Sequence, residues 1–278
     1  MFSEGHLIWI GLSILMIIIG LAACRIRRPS LRSLMKSALY IGIASEVIKV
    51  FSVAQIVPVA DTVIREEGGR ITVDYVVSAG YTPYIAMEHM PLELCSLYLV
   101  FMLLCIALRD GGWKRGLYAV MYASGTIGGL MGIFFASISN DFSTVAQYFA
   151  SARVWQYFIY HSMIVVVSLY LGSSDEAALR FADHKKAVIG LVLLDIPTFY
   201  LNSVLSSEIY VNDKLVGVSH RINYFSSYVS PFGMNSPDKR AWLIYLVIRA
   251  VLAYLFIIAA FSVCGIRERL RRRQKDNV

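Results

Sequence analysis

The chain is 278 residues long, 57% hydrophobic and 16% charged, with a formal net charge of +7 and a mean hydropathy of +0.61. These values exclude an ordinary soluble domain and a disordered chain. A basic balance can signal nucleic acid, but here Lys and Arg flank apolar stretches, which points to a membrane and away from nucleic acid.

A hydrocarbon core about 30 Å thick takes about 20 apolar residues per helix, and seven stretches meet or approach that length. The first, residues 6–23, is followed rather than preceded by its basic cluster, Arg25, Arg27 and Arg28. That order fits a retained helix with its N-terminus outside, not a cleaved signal peptide. The second, 37–57, carries Glu46 and Lys49, three apart and able to satisfy each other. Residues 58–89 form a long segment with a polar, turn-rich stretch at 65–70 and an apolar one at 71–77.

The third span, 90–108, holds Glu93, Cys95 and Cys105, with His89 just before it. As one continuous helix it places Glu88, Pro91, Cys95, Tyr98 and Met102 on one face, and His89, Glu93 and Ser96 on a neighbouring stripe. His89 then pairs with Glu93 at i+4, and a base for the Cys95 thiol has to come from another helix. The fourth span, 117–136, repeats small residues every four positions, at Ser124, Gly128 and Gly132 and at Gly125 and Gly129. This spacing allows close helix contact in lipid, within the bundle or between copies, so a homo-oligomer is left open.

The fifth span, 154–171, brings His161 beside Tyr157 and Tyr160, and the sixth, 187–205, carries Asp195. A second long segment, 206–240, is rich in Asn, Ser, Tyr and Pro and leads to the seventh span, 241–264, with Arg249. The basic run of 267–275 is a stop-transfer flank or lies against anionic headgroups, at about 1 kcal/mol per charge near the surface.

Seventeen Lys and Arg fall in the segments that follow the first, third, fifth and seventh spans, against seven on the other side, with Lys49 and Arg249 inside spans. The positive-inside rule places the N-terminus outside and the C-terminus in the cytoplasm. The expected fold is all-α: a polytopic bundle of seven transmembrane helices in the plasma membrane, with residues 1–278 as a single domain. No internal repeat of the transporter kind stands out.

A lone charge at mid-bilayer costs roughly 2.5–3.5 kcal/mol even on a permissive scale, so such groups pair or line a wet cavity. Measured from the external ends at 1.5 Å per residue, Cys95 and His161 lie about 8–10 Å deep, Lys49 and Arg249 about 12 Å, and Asp195 and Glu46 about 15–16 Å. One polar pocket in the outer half of the bilayer is the expectation. Within it, Cys95 is either a packing residue or a thiol activated by His161, and Arg249 with Asp195 either lines the pocket or forms a structural pair. The four cysteines give no disulfide framework. There is no HExxH, CxxC or Gly-rich phosphate loop, so no metal or cofactor is implied.

Three short segments carry a resemblance. His89-Met90-Pro91-Leu92-Glu93-Leu94-Cys95, Phe158-Ile159-Tyr160-His161 and Asn223-Tyr224 followed by Pro231 resemble elements of the YwaF-like bacterial integral membrane proteins. That family is similar to the eukaryotic transmembrane protein 164 family, whose member is a phospholipid acyltransferase using a cysteine and a histidine. The eukaryotic pattern has its cysteine directly after the proline, where this chain has Leu92. Cys95 lies one turn further on, as a shifted equivalent or as a residue of a branch with other chemistry or none.

The resemblance implies acyl transfer on membrane lipids. In that reading His161 is the general base and Cys95 the nucleophile, while Arg249 or Lys49 holds a headgroup phosphate or an oxyanion. His89, Glu93, Asp195 and Asn223 complete the substrate-binding set. The alternative is a non-enzymatic binding or transport protein for a small polar or anionic ligand. A third reading is a structural bundle whose charges only pair.

Overall fold

A computed structural model describes residues 3–67, 70–86, 89–90, 93–136, 142, 144–205, 207–211, 214–219, 225 and 239–276. Side chains are described in these except at 60–67, 70–79, 207–211, 214–219, 239, 271–272 and 274–276.

Local chemistry sets the first helix boundaries. Helix α1 (Glu4–Arg27) starts at Ser3, whose hydroxyl accepts from the His6 N–H at 3.3 Å. It stops at Arg28, where a left-handed backbone (φ 46°) returns the N–H to the Cys24 carbonyl. Pro29 follows and has no N–H with which to continue the helix. Ser30 then caps α2 (Leu31–Val53).

The helices that follow are α3 (Leu94–Ala107), α4 (Gly112–Phe134), the short α5 (Val145–Ala150), α6 (Ala152–Ser173), α7 (His184–Val204) and α8 (Lys239–Asp276). Each of the seven expected spans coincides with one of these, α5 being the addition. Five are long and apolar enough to cross a membrane: α1, α4, α6, α7 and α8. Helix α3 is only 14 residues long, and α2 carries Arg32, Lys36, Glu46 and Lys49.

Two expectations are corrected. Helix α3 begins at Leu94 rather than at 90, with Glu93 as its N-cap. Pro91 is the physical reason: it lacks a donor and disfavours helical backbone in the residue before it. His89 and Glu93 are therefore not one helical turn apart, and Cys95 stands in the first turn of α3. Nor are the long connecting segments only loops. Strands β1 (Gln55–Glu67) and β2 (Arg70–Tyr84) form an antiparallel hairpin with Glu67 opposite Arg70. Strands β3 (Ser207–Val211) and β4 (Lys214–Ser219) form a smaller one. The fold is the mostly helical bundle expected, with two hairpins added to it. Five of the seven residues at 71–77 are β-branched, a composition that favours strand.

Helix α6 lies at the centre. It packs Tyr160, Ile164, Val167 and Leu171 into one apolar cluster with α2, α3 and α4. Its Val154, Phe158, Val165 and Val166 join a second cluster with Trp9, Ile10 and Ile17 of α1. The small-residue stripe of α4 lets α6 approach: a Cβ on Gly125 would collide with Ser168, and one on Gly129 would lie 2.6 Å from Val165. The stripe thus packs inside the bundle. Helices α7 and α8 are far less covered, with Leu193 65% and Val247 62% exposed, as lipid-facing helices are.

Candidate functional site

The polar side chains of α2, α3 and α6 form two neighbouring hydrogen-bonded groups. Lys49 Nζ lies 2.5 Å from Glu46 Oε2. Ser96 Oγ donates to Glu46 Oε1 at 3.1 Å and accepts from Lys49 at 3.5 Å. In the second group, Ser45 Oγ, on the residue before Glu46, accepts from Gln156 Nε2 at 2.6 Å. Gln156 in turn accepts from Arg153, also on α6. In an apolar interior an unmade hydrogen bond is expensive, and Ser96 and Gln156 each reach a partner on the facing α2.

Cys95 and His161 meet these groups at the α3–α6 seam. Tyr160 Oη donates to the Cys95 carbonyl at 2.8 Å, fixing the first turn of α3 against α6. The His161 ring lies 4.1 Å, centroid to centroid, from Tyr157. His161 Nδ1 is 2.8 Å from the Tyr157 carbonyl, and Tyr157 Oη donates to the Gly132 carbonyl at 2.9 Å. A carbonyl only accepts, so Nδ1 carries the hydrogen and Nε2 bears the lone pair of the neutral ring. Gly132 makes room for that ring: a Cβ there would come within 2.8 Å of Nε2. Among the described residues, Cys95 Sγ and His161 share no hydrogen bond.

A further polar group joins α3, α7 and α8 through a single backbone residue. Arg249 pairs with Asp195 and donates from Nη1 to the Phe225 carbonyl at 2.7 Å. The Phe225 N–H donates to the Glu93 carboxylate. Phe225 takes a left-handed backbone (φ 57°), rare for a bulky residue. Pro197 lies inside α7 two residues after Asp195, and Thr198 Oγ1 donates to the Asp195 carbonyl at 2.6 Å. Lys49 is within electrostatic reach of both Glu93 and Cys95, which brings this group beside that of Glu46.

The sequence-predicted residues thus divide. Glu46, Lys49, Cys95 and His161 gather around α6, and Glu93, Asp195 and Arg249 around Phe225. His89 lies in a turn before α3, its N–H bonded to the Ala86 carbonyl. Asn223 lies outside the described residues. Lys49 and Arg249, the two cations expected to hold an anion, each already face a carboxylate. Beside Glu46, α2 and Leu99 frame an apolar groove of about 290 Å³, lined by Ile43, Val47, Val50 and Phe51.

Arg153 was missed, because in the sequence it counts as an external-loop charge. Its signal is nonetheless present: Arg153, Tyr157 and His161 fall at i, i+4 and i+8 of one helix face. All four cysteines are free. Among the described residues, no three His, Cys, Asp or Glu side chains gather as a metal site would require.

These features describe a mostly helical protein with apolar helices of membrane-crossing length. The chain belongs to the TMEM164 family, whose sequence model matches residues 1–266. No curated protein and no solved structure matches it.

Proposed function

We propose that the protein is a seven-span plasma-membrane acyltransferase or hydrolase acting on membrane lipids. Its N-terminus is outside, its C-terminus is cytoplasmic, and the basic end of α8 faces anionic headgroups. The observation that carries this reading is the fixed tautomer of His161, with a basic Nε2 on the same helix as the Tyr160 that anchors Cys95. His161 Nε2 takes the Cys95 Sγ proton, and the thiolate attacks an ester carbonyl of a phospholipid. The C–O bond breaks, the acyl group stays on Sγ as a thioester, and the departing lysolipid oxygen takes the proton from His161. A second hydroxyl, from an acceptor lysolipid or from water, then reverses the sequence. Catalytic hydrogen bonds commonly tighten only with substrate bound, so the open Cys95–His161 distance is compatible with this role. The apolar groove beside Glu46 suits an acyl chain, and Glu93, Asp195, Arg249, His89 and Asn223 would shape the headgroup side.

The test is reconstitution in bilayers containing phospholipid with one labelled acyl chain, followed by thin-layer analysis. Labelled acyl transfer or fatty-acid release should fall at least about 100-fold in Cys95→Ala and in His161→Ala. Undiminished turnover in Cys95→Ala would end the nucleophile assignment. The absence of a Sγ–imidazole hydrogen bond favours a second reading, a non-enzymatic binding protein. Lipid binding without any turnover in the unaltered chain would select it.

A further inference from the structure

Arg153 differs from the other cations in the polar groups. Lys49 faces Glu46, and Arg249 faces Asp195. Arg153 lies within the electrostatic reach of Glu46 and Cys95, yet no carboxylate of the described residues is within ion-pair distance of it. Its Nη1 donates to Gln156, and its guanidinium carbon sits 5.8 Å from the centre of the Tyr157 ring. A guanidinium has five donors in a planar fork that matches the paired oxygens of a phosphate, and among the described residues only Gln156 takes one of them.

The aromatic surroundings of Arg153 are those of a helix end. Two residues on, Trp155 donates from Nε1 to the Phe149 carbonyl at 2.9 Å and stands edge-on to Trp9 at 4.7 Å. Trp155 and Phe149 are 42% and 37% exposed. Such half-exposed aromatic groups mark the headgroup level of a bilayer. On the inner side the same helix face leads through Tyr157 to His161, one and two turns deeper.

We propose that Arg153 binds the phosphate of a phospholipid headgroup and so positions the ester-bearing part of the lipid beside Cys95 and His161. This rests on the lipid-directed reading above, and it moves the anion-holding role from Lys49 and Arg249 to a residue whose charge is not neutralised by contact. Tyr157 and Gln156 hold the guanidinium in place, leaving its outer edge for the phosphate oxygens. Free inorganic phosphate shares this chemistry, and the test separates the two sources.

The full-length chain is placed in bilayer discs, and co-purifying lipid is counted by native mass spectrometry. Phosphatidylglycerol is compared with diacylglycerol of the same acyl chains. The parent chain should retain phosphatidylglycerol over diacylglycerol. Arg153→Gln should lower phosphatidylglycerol retention by about tenfold, and Arg153→Lys, which keeps charge but loses the fork, by about threefold. Diacylglycerol retention should not change. If Arg153→Gln fails to fold, Arg153→Lys carries the comparison. Equal retention by the parent and by whichever variant folds would overturn the proposal, as would equal retention of the two lipids by the parent. Displacement of the lipid by millimolar inorganic phosphate would assign the site to a free anion and overturn the headgroup assignment. Repeating the count in Cys95→Ala separates binding from chemistry. No acyl transfer by the unaltered chain, with the Arg153 dependence of lipid retention intact, removes the enzymatic reading alone; transfer that depends on Cys95, with retention indifferent to Arg153, removes only this one.

Discussion

His161 Nδ1 donates to the carbonyl of Tyr157, one turn earlier on α6, at 2.8 Å. That bond settles which ring nitrogen is basic, and it orients the ring over Gly132 of α4 rather than toward lipid. A histidine held this way is ready to take a proton at Nε2 without first changing tautomer. The same bond shows how the orientation of the His161 ring is set by a local contact within one helix.

Cys95 and Cys105 offer an internal comparison of thiols on α3. Cys105 is 1% exposed and lies 3.5 Å from the Met121 sulfur, whereas Cys95 is half-buried at the helix start. A membrane-permeant maleimide should label Cys95 at least about tenfold faster, as followed by peptide mass spectrometry. His161→Ala should slow Cys95 labelling and leave Cys105 unchanged. A Cys95 rate indifferent to His161 would mean that the imidazole does not act on that thiol.

Gly132→Ala should be damaging out of proportion to its size. The added methyl would collide with the His161 ring, while a methyl on Gly116, in the same helix, would meet nothing within 4 Å. The expected result is a lowered Tm and lost turnover for Gly132→Ala. Gly116→Ala should be neutral or stabilising by up to about 1 kcal/mol, since alanine is the better helix former. Equal Tm for the two variants would contradict the packing described for His161.

Asp195 and Arg249 should behave as a unit. Removing one partner leaves the other charge uncompensated in a mostly apolar setting, which costs more than removing both. A double-mutant cycle with Asp195→Asn and Arg249→Gln, read by thermal unfolding in detergent, should give a coupling of about 1 kcal/mol or more. Because Arg249 also holds the Phe225 carbonyl, Arg249→Gln should be the more costly single change. Additive losses would show that the contact carries no energy.

The helices were legible because apolar runs near 20 residues have few alternatives. The charged residues within them were legible because their cost forces them to matter. What escaped has specific causes. Pro91 was read as one position on a helical face, yet its missing donor outweighs the apolar run and delays α3 to Leu94. The hairpin of β1 and β2 is hidden because the charged residues at 65–70 dominate the look of the segment, although the stretch at 71–77, rich in β-branched residues, signals a strand. Arg153 escaped because charge-counting treats a residue at a span boundary as part of a loop. Partner choice was only half legible: Glu46 with Lys49 follows from spacing, but the link from Glu93 to Arg249 runs through the Phe225 backbone, which no side-chain pattern reveals.

Orientation has a direct readout. With the basic segments cytoplasmic, reporter fusions after Asn140 and after Val278 should report opposite sides of the membrane, the first external and the second cytoplasmic. Reporters on the same side would remove a span, and with it the placement of Arg153 at the outer headgroup level.

The most direct measurement is the covalent state of Cys95 after incubation of the purified chain in phospholipid bilayers. Peptide mass spectrometry should find an acyl group on Cys95 that neutral hydroxylamine removes, as it does a thioester, with Cys105 unmodified. In His161→Ala the adduct should be absent or at least about tenfold less abundant. An unaltered chain that carries no acyl group on Cys95 and releases no lysolipid would contradict the account.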